Sequence, residues 1–193
     1  MPGHRRARQY VSRAILPVTS RWSMTTAVRW THPVSLRRTV WINNKYNMSN
    51  NTKDLTKQAP TSPRQRIGGY AILSRMADKA RADIAGTIGE YHTDCPLDHM
   101  LLDWKGVEYA EVRKKLEAGA TDEEIASYLD AHGSKKTATE IKAWSDSVEK
   151  ATMHGHPEKG EYFDGACRKL GLDPAKTSVF EWLEADDRAS FTK

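Results

Sequence analysis

The stretch Gly68-Gly69-Tyr70-Ala71-Ile72-Leu73-Ser74-Arg75-Met76-Ala77-Asp78-Lys79-Ala80-Arg81-Ala82-Asp83-Ile84-Ala85-Gly86 sets the fold class. At about 100° per residue, Ile72, Leu73, Met76, Ala80 and Ile84 fall in one sector of a helical wheel, while Arg75 and Asp78 point away from it. The spacing predicts a helix over residues 69–85 that lays an apolar stripe on a core and turns a charged face outward. Gly68-Gly69 permits a sharp entry, and Gly86 and Gly89 supply the stop. Asp83 lies at the edge of the stripe, at the rim of the core or paired.

Upstream, Pro60 and Pro63 withhold backbone donors and hold their predecessors extended, so residues 54–67 read as a strap leading into this helix. Downstream, Glu90 to Pro96 is a connector with room for a short strand, since Cys95 precedes a proline. Leu97 to Trp104 suits a short helix ending near Gly106, and Tyr109, Val112 and Leu116 pattern another, capped by Gly119. Thr121-Asp122-Glu123-Glu124 and Thr137-Ala138-Thr139-Glu140 are capping boxes. They open helices carrying Ile125, Tyr128 and Leu129, then Ile141, Trp144 and Val148. Beyond the break at His154-Gly155-His156-Pro157, a helix runs through Tyr162, Phe163, Ala166 and Leu170 to Gly171. Val179 to Leu183 forms a short docking helix, and Asp186-Asp187-Arg188 begins the terminus. Without repeats or strand alternation, the expectation is an all-α fold, a compact multi-helix bundle with an extended Pro-containing lead-in.

The net charge of +5 belongs to one end of the chain. Residues 1–53 hold ten Lys/Arg and no acid, which leaves 20 basic and 25 acidic residues in 54–193 and a net charge of −5 there. An acidic body does not suit broad phosphate-backbone binding. Residues 1–47 combine arginines, Ser/Thr and Trp22, Trp30 and Trp41 without an apolar period. This segment reads as a transit peptide, as a basic arm whose tryptophans stack on nucleic-acid bases, or as sequence outside the mature protein. The third reading is preferred, with Met48 as the true start, and then a disordered basic extension over 1–53 ahead of a single helical domain over 54–193. Cys95 and Cys167 lie far apart and follow no secretory segment, which fits free thiols in a reducing cytoplasm. No apolar run approaches the about 18 residues needed to cross a bilayer, so a soluble protein with no membrane association is expected.

Several separated motifs carry a family resemblance. Asp54-Leu55-Thr56-Lys57, Ser62-Pro63-Arg64, Gly68-Gly69-Tyr70, Arg75-Met76-x-Asp78-Lys79-Ala80-Arg81, Gly86-x-x-Gly89-Glu90-Tyr91 and Cys95-Pro96-Leu97-Asp98 occur in order. The run resembles the bacterial family catalogued as domain of unknown function 5069, and the likeness continues through Asp122-Glu123-Glu124 to Asp186-Asp187. It departs from that pattern at Ser74, where the family pattern implies a proline before the arginine. The resemblance implies no catalytic residues.

The candidate sites concentrate in residues 75–99. Cys95 suits a nucleophile if a helix N-terminus or a nearby cation favours its thiolate, though no base stands beside it in sequence; a carboxylate such as Asp98 or Glu90 is the alternative catalytic group. The plainer reading is a small buried thiol. Arg75 and Arg81 suit a clamp for a carboxylate or phosphate, Asp78 orienting one of them and Tyr91 lying nearby. The plainer reading is a solvated helix face of i,i+3 and i,i+4 pairs that includes Lys79. His92, Cys95 and His99 are metal-ligating types, but their spacing matches no paired zinc knuckle, and His154 and His156 suit an exposed loop; no metal site is assigned. Gly86-x-x-Gly89 is too short for a dinucleotide fingerprint, so no cofactor is assigned. Trp104, Trp144 and Trp182 read as core anchors. The expectation is a binding or interaction module for a small anionic ligand or a protein partner. The alternatives are a small enzyme using Cys95 or nearby carboxylates, and nucleic-acid binding through the basic N-terminal segment.

Overall fold

The computed structural model describes residues 52–191, and seven helices occur among them: α1 (Leu73–Ala85), α2 (Pro96–Lys105), α3 (Tyr109–Glu117), α4 (Asp122–His132), α5 (Ala138–Glu149), α6 (Gly160–Lys169) and α7 (Val179–Phe191). No strand forms among the described residues; Ile67 and Tyr70 make one isolated antiparallel bridge. The fold is all-α. The readings of residues 1–51, including Met48 and the three tryptophans, lie outside the described residues.

Helix α1 is the central element, and it corrects the expected charged outer face. Every residue from Leu73 to Ala82 is buried, including Arg75, Asp78, Lys79 and Arg81. Its apolar stripe packs with Leu101, Leu102, Val112, Ile125 and Leu129 from α2, α3 and α4. Its polar side is covered by the strap, whose Thr61 binds Asp78, and by α7, α2 and α4, whose Asp187, Asp98 and Asp122 pair with Arg75, Lys79 and Arg81. An amphipathic wheel reports which face is apolar; it does not report that the other face meets water.

The strap wraps α1 through backbone and side-chain bonds. Leu55 N donates to Thr87 O at 2.9 Å, and Ile72 N to Pro63 O at 2.8 Å. Asp78 accepts from Thr61 N at 2.7 Å and from Thr61 Oγ1 at 2.6 Å. Arg64 and Arg66 reach Glu149 of α5, and Arg64 also meets Glu184 of α7. Gly68 (φ 60°) and Gly69 (φ 87°) form the turn between Ile67 and Tyr70, so α1 begins at Leu73 rather than residue 69. Ile72 precedes it at φ 72°, a conformation β-branched residues rarely adopt. Its bond to Pro63 and its packing with Val148 and Phe180 hold it there.

Both capping boxes form. Thr121 accepts from Glu124 N, and Thr137 from Glu140 N, each at 3.2 Å. Ser74 donates to Asp122 at the start of α4, so the residue that departs from the family pattern ties α1 to a neighbour. Asp83 is paired, with Arg113. Trp104 and Trp144 stack at 4.8 Å between ring centroids. The C-terminal reading needs correction: Asp186, Asp187 and Arg188 lie within α7, which extends to Phe191. Asp187 pairs with Arg75 of α1, a tertiary contact that the short Val179–Leu183 run gave no reason to expect.

Candidate functional site

Arg75 and Lys79 stand one turn apart on α1, so i,i+4 spacing places them on the same side of the helix. A buried guanidinium requires a partner, and Arg75 has a bidentate one in Asp187 of α7, at 2.6 and 3.1 Å. Tyr91 closes the group: its hydroxyl donates to Asp187 Oδ1 at 2.8 Å, and Arg75 lies over its ring at 5.6 Å. Burial, then the bond to Asp187, pushes the Tyr91 phenol well above its ordinary range.

Lys79 organises a second group. Its Nζ lies 2.8 Å from Asp98 Oδ1 and 3.0 Å from Oδ2, and it donates to Cys95 Sγ at 3.2 Å. Lys79 is 3% exposed and Asp98 0%, so this ammonium-carboxylate pair is enclosed by protein, whereas Cys95 is half-buried. The local sequence explains the placement. Cys95 is the extended N-cap of α2, Pro96 occupies the first helical position, and Asp98 at the third accepts from Cys95 N at 3.4 Å.

Both groups line one cleft of about 1070 Å³. Arg75 and Lys79 contribute from α1, Tyr91 and Cys95 from the connector. Apolar and aromatic lining comes from Leu97 and Met100 of α2, Tyr162 of α6, and Trp182 and Leu183 of α7. Trp182 meets the Tyr162 and Phe163 rings edge-on at 6.2 and 5.8 Å, which fixes its indole in this lining. Glu90 and Asp186 lie at the rim, both exposed. Partial burial, and then the charge of Asp187, raises the Asp186 carboxyl above its ordinary value.

A family model described as "Domain of unknown function (DUF5069)" matches residues 57–189. The chain belongs to this DUF5069 family. No curated protein matches the chain. The DUF5069 match takes in most of the strap, the connector and most of α7, so the cleft lies within it.

Within the DUF5069 domain, the residues singled out in the sequence divide. Arg75, Tyr91, Glu90 and Cys95 come together on the cleft, with Asp98 buried beneath Cys95. Asp78 lies under the strap instead, bound to Thr61 and 2.8 Å from Lys53 Nζ. Arg81 faces α4, bound to Asp122 at 2.6 Å and Ala120 O at 2.9 Å. Arg75 and Arg81 thus diverge, and each already holds a carboxylate of the protein. The plainer reading of this cluster, a solvated face, is also corrected by its burial. His92 lines the cleft, while His99 sits between Asp94 and Asp103 at 2.8 and 3.0 Å. No group of three or more His, Cys, Asp or Glu converges as a metal site among the described residues. His154 pairs with Asp164 at 2.9 Å.

Lys79 as the partner of Cys95, and Trp182 as a cleft wall, were missed at the level of sequence. No local signal existed for the first, since Lys79 lies 16 residues before Cys95. None existed for Trp182, whose position depends on how α7 docks.

Proposed function

We propose that the DUF5069 domain is a binding module that takes a small organic molecule with an apolar body into the cleft between α1, α2, α6 and α7. The carrying observation is the cleft: about 1070 Å³, apolar and aromatic lining from Leu97, Met100, Tyr162, Trp182 and Leu183, and polar groups at Lys79, Cys95 and Tyr91. Specific small-molecule sites have this make-up, mostly apolar with a few fixed polar groups. The anionic ligand expected from Arg75 and Arg81 is less well supported, because Asp187 and Asp122 already neutralise them. The −5 charge of residues 54–193 argues against nucleic acid as the occupant. Free Cys95 and Cys167 fit a reducing, cytoplasmic setting.

The neutral fluorescent probe N-phenyl-1-naphthylamine tests the reading. Saturable binding is expected, weakened at least about fivefold, or about 1 kcal/mol, by Met100→Glu. Met100 is 37% exposed, so that change leaves the core intact. Unsaturable binding, or equal affinity in the variant, would overturn the proposal.

A further inference from the structure

We propose that Cys95 is a nucleophile toward carboxylic esters whose apolar acyl group lies in this cleft, with Lys79 as its proton-transfer partner and Asp98 positioning Lys79. The inference rests on the cleft as a small-molecule site and adds a reaction to it. Three groups stand in the relation that nucleophilic catalysis requires: a sulfur open to the cleft, an amine within hydrogen-bond reach, and a carboxylate fixing that amine. The distances are 3.2 Å from Lys79 Nζ to Sγ, and 2.8 and 3.0 Å from Nζ to Asp98. Lys79 and Asp98 are both more than nine-tenths buried, so the amine is held on the sulfur by protein rather than by a solvated side chain. A surface lysine would not keep this geometry.

The second cysteine provides an internal contrast. Cys167 is fully buried among Phe163 and Val179, and burial pushes its thiol up. Cys95 instead opens onto the cleft at the N-cap of a ten-residue helix. The thiolate is the attacking form of cysteine, and a neighbouring cation and a helix N-terminus are the surroundings that favour it. In the first turn of α2, Pro96 has no N–H and Asp98 N donates to Cys95 Sγ in the capping box, so the helix start directs a donor at the sulfur.

The step balances with water as the only co-reactant. Cys95, its proton released to water, attacks the acyl carbon; the C–S bond forms and the carbonyl π pair moves to oxygen. As the carbonyl re-forms, the ester C–O bond breaks, and the departing alkoxide takes a proton from the Lys79 ammonium. Water then attacks the thioester while the neutral Lys79 amine accepts its proton. The C–S bond breaks, the acid leaves, and the Cys95 thiolate beside the Lys79 ammonium is restored. Apolar contacts with Leu97, Met100 and Trp182 would hold the acyl chain.

The test uses the full chain and p-nitrophenyl butyrate, read by p-nitrophenolate release and by peptide mass spectrometry. A burst of about one equivalent is expected, with the butyryl group on Cys95. Cys95→Ser should abolish the burst and Cys167→Ser should leave it. Lys79→Met should slow release of the butyryl group from Cys95 at least about 100-fold, the scale of a lost general base, because p-nitrophenolate leaves without a proton and the hydrolysis of the thioester is the step that needs one. N-phenyl-1-naphthylamine binding, measured on every variant, separates the two proposals. Retained probe binding without a wild-type burst overturns the nucleophile and leaves the cleft reading standing; loss of specific probe binding in the wild type removes both. A burst that persists in Cys95→Ser, or label confined to Cys167 or surface lysines, also overturns the nucleophile.

Discussion

Arg75 shows how a residue's meaning depends on its partner. By sequence it is one of several cations on a helix; in the fold it is 3% exposed and bidentate to Asp187. Removing one member of a buried pair leaves an uncompensated charge, a change that costs about 3–5 kcal/mol. Arg75→Ala is therefore expected to lower unfolding free energy by about that amount in urea denaturation. Adding Asp187→Ala to it should cost less than the sum of the two single changes, because the residues share one interaction. A loss below about 1 kcal/mol would place Arg75 among exposed surface pairs instead. Cys95 was legible as a candidate because a thiol before proline at a helix start can be read from adjacent residues. The contact that gives it chemical interest was not, because Lys79 lies 16 residues earlier.

At the scale of elements, helix starts were the most legible features. Thr121 and Thr137 each satisfy a backbone donor within their own four-residue box, so no distant contact is needed to form the cap. The apolar spacing starts α1 too early because Gly68-Gly69 serves a turn, and it ends α7 too soon because Asp187, farther along that helix, is held by Arg75 of α1. Helix α2 carries a pH-dependent contact with the connector before it: His99 lies between Asp103 on its own helix and Asp94 on the connector. The Asp103 bond, opposed next by burial and then joined by the Asp94 bond, raises His99 above its ordinary 6.5. A raised histidine contributes stability that is fully present below pH 6.5 and lost as pH rises through the higher folded-state value. The melting temperature should therefore fall over that window relative to His99→Gln, whose own pH profile lacks the step. Parallel profiles for the two proteins would refute a role for the clamp.

Across the whole molecule, α1 joins the parts. The main cluster places it against α2, α3 and α4, while the strap and α7 close over its charged side. Helices α6 and α7 meet in a smaller cluster of Phe163, Cys167 and Val179. Amide exchange should follow this arrangement: slowest in α1, near the rate set by global unfolding, and faster in α6, which rests on the satellite cluster. Hydrogen-exchange mass spectrometry checks this, and equal protection in both helices would contradict α1 as the centre. By itself, the sequence determined the helical class, the capped helix starts and the acidic balance of residues 54–193. Each depends on side chains within about one or two helical turns, or on a sum of charges. Only the tertiary structure decided that α1 is enclosed, that Arg75 and Arg81 diverge, and that Lys79 meets Cys95 beside an aromatic wall. Buried charge requires partners from distant elements, and the wheel of a single helix cannot say which elements supply them.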